Sequence, residues 1–494
     1  MHPPDEGKAR ERVRFGTDGW RGQIARDFTF ANVARVAHAT AGFLLSDARK
    51  GLPLYRDWGA PYRPAANGIV VGYDTRFLSR EFAWHFARVV RDRGLPVAVA
   101  SNFVSTPALS HAVVDRRAAC GVMFTASHNP PSDSGIKIKS EYGGSAPLDV
   151  TAVIESLLPE EAPEPRSPEG AVSPVDLRAP YLARVRRLID PGRLTSSPVR
   201  VVADAMYGSA QGYVAELLTG YGVDHLQIRS IPNVLFGGKK PEPLEENLVP
   251  LRAVIASLPR RGAPVIGVAT DGDGDRVAAM DEQGGYLDPH VTFALLLRYL
   301  IVERRWRGAV VKSVNQTDMA TAIAREHGLE VVEIPVGFRF AAEQMLKKDV
   351  LIAAEESGSI AVRGHIPERD GVLSSLLLVE MAACAGKPLS HLVQSLEDDL
   401  GPHAYRRRDL VVAAPLEVVS RLRDAPPDRF ASWDVKGAET LDGIKLRFDE
   451  GWVLFRASGT EPILRTYCEM RSDEAVLRVL DEAERMARGE LTLW

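Results

Sequence analysis

The sequence predicts a multidomain α/β protein, with three α/β domains followed by a smaller C-terminal α+β domain. Three observations predict it. A chain of 494 residues exceeds a single core, and domains of roughly 100–150 residues make three or four the expected number. A short apolar run leading through a turn into a helical pattern, the unit of layered α/β folds, recurs at three wide spacings. After about Gly401 the texture changes to short strands and one terminal helix.

The first unit is "GIVVGYDTR" before the amphipathic Glu81–Arg93. Ahead of it, "GLPLYRDWGAPYRPAANG" from Gly51 reads as a surface excursion without a role. Between Leu157 and Val175, Pro and Glu dominate, which predicts a linker near a domain boundary, and the helical "YLARVRRLID" then bridges to the second domain. The second unit is "VRVVADAMYGSA" before Gln211–Leu218, and the third is "AVVKSVNQTD" before Met319–His327. Leu373 to Ala385, the most apolar stretch, is interrupted by Glu380 and too short to span a bilayer, so it reads as a buried helix. "DGIKLRFDEGWVLFRASG" and Asp473–Gly489 supply the last domain. The expected boundaries are 1–178, 179–286, 287–400 and 401–494.

With 45% apolar and 26% charged residues the chain has the composition of a soluble globular protein. Its 61 bases nearly balance 65 acids, and no basic run interleaved with aromatics is present, so neither a nucleic-acid nor a membrane partner is expected. Cys120, Cys384 and Cys468 are too scattered for a disulfide framework, and the charged, Pro-rich start is not a secretory signal. A cytoplasmic protein is the expectation.

Four elements carry chemistry. "TDGDGDR" sets Asp271, Asp273 and Asp275 on alternate positions, and such carboxylates repel unless a cation lies among them. Glycine lets the backbone curl around one ion, and oxygen-only ligands favour magnesium or calcium. An EF-hand fails, because its glycine position holds Arg276 and strands flank the loop. An aspartate-nucleophile phosphotransferase, with Asp271 phosphorylated, is the rival, but it has no use for the third aspartate. "VMFTASHNPPSDSGIKI" runs into a turn that places Ser127, beside His128, on an exposed loop; by itself this is an Asn-Pro turn with a capping serine. Lys137 either returns to that loop as a buried amine or snorkels to solvent. "RASGTEP" offers Ser458, Gly459 and Thr460 as an anion nest with Arg456 and Arg465 for charge, or a plain hairpin tip. In "AAEESGSI", Glu355 and Glu356 either grip sugar hydroxyls or begin a helix.

Together with "FGTDGWRG" (Phe15 to Gly22), these elements in this order resemble the α-D-phosphohexomutase family of phosphoglucomutases, phosphomannomutases and phosphoglucosamine mutases. The resemblance covers essentially the whole chain. It implies a four-domain architecture with mixed sheets around a central cleft. It implies a phosphoserine at Ser127, Mg²⁺ held by Asp271, Asp273, Asp275 and a phosphoserine oxygen, and sugar hydroxyls bound by Glu355 and Ser357. The loop Arg456–Thr460, with Arg465, would hold the non-reacting phosphate. Arg21, His128, Lys137 and Arg276 would line the reacting phosphoryl group, with Lys137 or His128 handling the proton.

The implied reaction interconverts glucose 1-phosphate and glucose 6-phosphate through a bound glucose 1,6-bisphosphate, which also activates the enzyme, in a monomer or homodimer. The doublet Glu355-Glu356 resembles the glucose-type sugar loop, while mannose and glucosamine phosphates are the alternatives. Ala353-Ala354, Ala457 and Arg339 depart from the family's usual residues. A non-catalytic phosphosugar-binding protein of the same fold is the reading from another class.

Overall fold

In the computed structural model, residues 13–489 are described apart from Thr17, 260–262 and 459–461, so the Pro-rich start lies outside the described residues. Four principal sheets follow one another along the chain. The first comprises β1 (Trp20–Gln23), β2 (Ile69–Tyr73), β3 (Val97–Ala100), β4 (Cys120–Phe124), β5 (Asp133–Lys139) and β6 (Ser173–Val175), in the order β1-β5-β4-β2-β3-β6. The strands β4, β2, β3 and β6 run parallel, and β5 and β1 add antiparallel at one edge. The second holds β7 (Arg200–Asp204), β8 (Asp224–Ile228), β9 (Val265–Thr270), β10 (Val277–Met280) and β11 (Tyr286–Leu287), and the third β12 (Ala309–Ser313), β13 (Val331–Ile334), β14 (Val350–Ala354) and β15 (Ile360–Val362). Both repeat the scheme of a parallel centre with an antiparallel edge. Central strands such as β2, β4, β9 and β14 are buried along their whole length. That is why they read as continuous apolar runs rather than alternating ones.

The fourth sheet is antiparallel throughout. A small hairpin of β17 (Arg429–Phe430) and β18 (Trp433–Asp434) lies beside it in the same unit. Its strands β16 (Ala404–Val411), β19 (Gly437–Glu439), β20 (Ile444–Phe448), β21 (Gly451–Ala457) and β22 (Ile463–Met470) are ordered β16-β22-β21-β20-β19. One hydrophobic cluster runs continuously through the first three sheets and their helices, whereas the C-terminal unit has a core of its own. The helix Gly371–Ala385 contributes to this continuity: it is buried along nearly its whole length and packs on β9 and β10 as well as β15. Its Glu380 is buried against Tyr299 and Arg304. No single helix among the described residues is long and apolar enough to cross a membrane.

The three expected strand-to-helix units are β2 with Ser79–Asp92, β7 with Tyr213–Tyr221 and β12 with Asp318–Glu326. Two expectations need correction and one an addition. The Pro- and Glu-rich segment before Val175 is not simply a linker, for it ends in β6, at a sheet edge where Pro174 is tolerated. The excursion from Gly51 does run over the surface, and it is also tied down: Tyr55 Oη donates to Glu141 at 2.5 Å, beside Arg49, which is fully buried against the same carboxylate. Finally, the C-terminal unit carries a second helix, Pro415–Asp424, whose Pro-led start lacked a side-chain cap to advertise it.

Candidate active site

Strand ends of the first three sheets and the β21–β22 hairpin bring the candidate residues together. Ser127 follows β4 in the left-handed region (φ 53°) and is fully buried. It is therefore not on an exposed loop, because the aspartate loop between β9 and β10 lies directly over it. A Cβ at Gly272 would meet the Ser127 carbonyl oxygen at 2.4 Å, so only glycine permits this approach. The Ser127 hydroxyl donates to Asp271 Oδ2 at 3.0 Å and lies 3.2 Å from His128 Nδ1.

A residue absent from the sequence reading holds the loop in place. Arg76, after β2, is buried, and its guanidinium donates to the carbonyls of Ser127, Asn129, Pro130 and Asp133 at 2.6–2.9 Å while pairing with Asp74. The five-donor fork suits such a cage of carbonyls.

Asp271, Asp273 and Asp275 are buried, and one oxygen from each lies within 4.8 Å of the others. Asp271 Oδ1 accepts the amides of Asp275 and Arg276 at 3.0 and 3.1 Å, which curls the loop. Thr106 Oγ1 donates to Asp273 Oδ2 at 2.6 Å. Lys137, on β5, is a buried amine whose Nζ reaches Asp273 (2.8 Å), Asp275 (2.7 Å) and Asp18 (2.9 Å). Burial alone would lower the Lys137 pKa, but these carboxylates outweigh it and hold the amine well above its usual range. Burial and the charges of Asp273 and Asp275 push Asp271 up, while Lys137 overcomes burial to hold Asp273 down.

Lys137 thus serves three carboxylates, two of them shared with Arg369, and among the described residues Asp273 Oδ1 and Asp275 Oδ1 are buried without a hydrogen-bond partner. Buried anionic oxygens left this way fit a hard divalent cation.

Around this centre, Arg21 on β1 donates to Asn129 Oδ1 at 2.6 Å. His128 lies 3.9 Å from Glu242, which also accepts from Arg276 at 3.2 Å. Burial and the cations Arg276, Arg21 and Lys137 push His128 well below its usual pKa, so its ring is neutral at pH 7. Arg369, just before the helix Gly371–Ala385, pairs with Asp18 and with Asp275 (2.8 Å) and lies 3.9 Å from Glu355. Asp18, Thr106, Glu242 and Arg369 were missed individually; Asp18 lies inside the quoted "FGTDGWRG", but nothing in spacing marks the other three.

The loop between β14 and β15 carries Glu355 and Ser357 and is not a helix start. Val277 N donates to Gly358 O at 3.0 Å, which stitches this loop to the aspartate loop. Glu355 Oε1 accepts from Gly337 N at 2.8 Å, and Ser357 Oγ lies 2.9 Å from Ser359 Oγ. Burial raises the Glu355 pKa. Its neighbour behaves differently. Glu356 turns to the C-terminal unit, accepting from Tyr405 Oη at 2.8 Å with Arg407 at 3.5 Å. The two carboxylates thus do not form a joint grip on one ligand, since successive side chains diverge at a strand end.

Arg456 and Arg465 sit directly opposite each other on β21 and β22. Asp442 accepts from Arg456 Nε at 2.8 Å, and Asp409 lies opposite Arg465 on β16, so carboxylates flank the two like charges. Ser458 follows, with its amide on Ile463 O at 2.8 Å, whereas Gly459 and Thr460 lie outside the described residues. Of the departures, Arg339 donates to Gly16 O at 3.3 Å, and Ala353-Ala354 are buried in β14.

Family models for phosphoglucomutase/phosphomannomutase match the chain four times: α/β/α domain I at residues 12–164, domain II at 179–285, domain III at 288–399 and the C-terminal domain at 414–486. A phosphoglucomutase/phosphomannomutase of Thermococcus kodakarensis is 29% identical over 94% of this chain and 96% of its own length. A phosphoglucosamine mutase of Carboxydothermus hydrogenoformans is also 29% identical, over 95% and 97%. A solved Thermus thermophilus protein designated a phosphomannomutase is 37% identical, covering 97% of this chain and 99% of that one with a TM-score of 0.83. With all four domains matched in order, the chain belongs to the phosphoglucomutase/phosphomannomutase family of phosphohexomutases, isomerases that act on hexose phosphates.

Proposed function

We propose that the protein interconverts glucose 1-phosphate and glucose 6-phosphate through phosphorylated Ser127 and a bound glucose 1,6-bisphosphate, with Mg²⁺. The observation that carries this reading is the Ser127 hydroxyl set between Asp271 Oδ2 (3.0 Å) and His128 Nδ1 (3.2 Å), against carboxylates with partnerless oxygens.

Asp271, Asp273 and Asp275 would hold Mg²⁺ together with an oxygen on Ser127. When bound, the ion would neutralise charge on the serine oxygen and the transferred group. The remaining work falls to the chain. Phosphoryl transfer depends on positioning and charge neutralisation rather than covalent assistance from the protein. Arg76 fixes the Ser127 backbone, and Lys137 with Arg21 and Arg276 surrounds the reacting group with positive charge. When Ser127 takes a phosphoryl group from the bisphosphate, two acceptors stand within reach of its hydroxyl proton, Asp271 Oδ2 at 3.0 Å and the neutral His128 Nδ1 at 3.2 Å. Glu355 and Ser357 would bind ring hydroxyls, and Arg456, Ser458 and Arg465 the other phosphate. Two guanidiniums side by side at this hairpin, Arg456 and Arg465, support that last role through their charge and donors. Reorientation of the bisphosphate then presents its second phosphate to Ser127.

Glucose is proposed on the resemblance of the sugar loop. A second reading adds mannose, since one relative is named for both activities and the Thermus thermophilus protein for mannose. The test is turnover of glucose, mannose and glucosamine 1-phosphates with Mg²⁺ and a trace of the matching bisphosphate. Glucose preferred at least tenfold in kcat/KM, about 1.4 kcal/mol of transition-state discrimination, is the expected result. Comparable rates on mannose establish the second reading. No turnover on any of the three refutes both.

A further inference from the structure

Two consecutive backbone amides ahead of the helix Phe338–Lys347 are read by carboxylates from different parts of the chain. Gly337 N donates to Glu355 Oε1 in the sugar loop at 2.8 Å. Val336 N donates to Asp442 Oδ2 at 2.9 Å, and Asp442 belongs to the C-terminal unit, between β19 and β20. The same Asp442 oxygen accepts from Arg456 Nε at 2.8 Å. One carboxylate oxygen thus ties the phosphate-loop arginine to the peptide unit adjoining the one that holds Glu355.

The local backbone is shaped for this. Gly443, next to Asp442, has φ 93°, and a Cβ there would meet the Phe455 carbonyl oxygen at 2.2 Å and the Arg456 Cα at 3.2 Å. Only glycine lets the loop lie flat on β21 at this point, which brings the Asp442 carboxylate to the Arg456 side chain. Both side chains are about one-fifth exposed, so the pair sits at the edge of solvent where a ligand can reach it. Asp442 takes the Nε edge of the guanidinium, and a phosphate would be met by the terminal nitrogens.

We propose that Asp442 is a positioning residue that sets the span between Glu355 and Arg456, and thereby between the ring hydroxyls and the non-reacting phosphate of a bound hexose monophosphate. The inference rests on the proposed role of Arg456 as a phosphate ligand. Without Asp442 the C-terminal unit keeps its other ties to the third sheet, such as Lys445 to Val314 O at 2.8 Å and Glu469 to Asp318 N at 2.9 Å. It loses the tie that passes through the phosphate-binding cation.

Steady-state kinetics on glucose 1-phosphate, with Mg²⁺ and glucose 1,6-bisphosphate, test this with D442N, R456A, the double variant and K445M. Expected are a KM rise of about tenfold for D442N with kcat within about threefold, a larger rise for R456A, and a double variant no worse than R456A alone. K445M, which cuts a tie between the same units away from Arg456, should leave KM within about twofold. A purely structural loss would move K445M and D442N alike and overturn the proposal. So would an unchanged KM in D442N beside a raised one in R456A, or multiplicative effects in the double variant. An unchanged KM in R456A would overturn it together with the phosphate role on which it rests. Should D442N not fold, D442E keeps the charge with a longer reach; a KM equal to wild type would then count against the proposal, and a raised one for it.

Discussion

The molecule buries two clusters of charge between its units, and they differ in how completely their carboxylates are partnered. In the first, Lys137 is shared by Asp18, Asp273 and Asp275, and Arg369 by Asp18 and Asp275, with Asp271 beside them, and two carboxylate oxygens have no hydrogen-bond partner among the described residues. In the second, between the third sheet and the C-terminal unit, Lys312, Lys445 and Arg447 meet Asp318, Glu333 and Glu439, the last pairing with Arg447 at 2.9 Å. Asp318 pairs with Lys312 (3.1 Å) and Arg447 (2.8 Å), and Glu333 with Lys312 (3.0 Å), Arg447 (3.2 Å) and Lys445 (3.7 Å). Burial and the neighbouring Lys312 lower the Lys445 pKa to about 7. Crowded buried carboxylates are relieved by a proton or by a cation, and with Asp271 pushed up and two oxygens partnerless among the described residues the first cluster is suited to a cation. The second can relieve itself by giving up a proton, and it serves as a joint.

The comparison breaks most easily at the aspartates. D271N should lower kcat by about a thousandfold or more, because it removes a proposed metal ligand. Its thermal midpoint in EDTA should match or exceed wild type, since burial and the charges of Asp273 and Asp275 push Asp271 up and its loss relieves them; a marked drop would make the triad a structural device.

Lys137→Met should cost about 3–5 kcal/mol of stability without metal, as it strands buried carboxylates. Added Mg²⁺ should recover part of that loss in thermal unfolding, whereas equal losses with and without Mg²⁺ would contradict a cation site.

R447M, in the joint, should cost about 1–3 kcal/mol by the loss of charged hydrogen bonds. Mg²⁺ should not change this cost, and kcat should stay within a few-fold.

The smallest effect concerns pH. Because the folded-state pKa of Lys445 lies below that of the unfolded chain, the native state binds fewer protons between about pH 7 and 10.4, and stability from this group rises with pH across that window. K445M should therefore gain stability relative to wild type at pH 6 and lose that advantage by pH 9. A difference in melting temperature that is flat with pH would refute the lowered pKa.

Much of the fold was legible because buried parallel strands and amphipathic helices write distinct patterns, as in β2 followed by Ser79–Asp92. The strand β6 was not, because an edge strand of three residues among prolines leaves no periodicity. In the site, the alternating aspartates declared themselves by mutual repulsion, and Ser127 by its motif. Its burial did not, since that depends on the Gly272 loop, 145 positions along the chain. Arg76, Glu242, Arg369 and Asp442 were invisible for the same reason. An arginine's carbonyl cage or an aspartate's bond to a distant amide is a property of tertiary packing, and no local pattern encodes it. Glu356 is the converse case: its motif position suggested the sugar, and the fold commits it to Tyr405.

Ser127 is the proposed carrier of the phosphoryl group. The direct measurement is to incubate the protein with Mg²⁺ and radiolabelled glucose 1,6-bisphosphate, digest it, and map the label. The account predicts label on the peptide containing Ser127, resistant to hydroxylamine and absent from S127A, which should also lack turnover. Hydroxylamine-labile label on Asp271, or an S127A protein that still turns over, would contradict it.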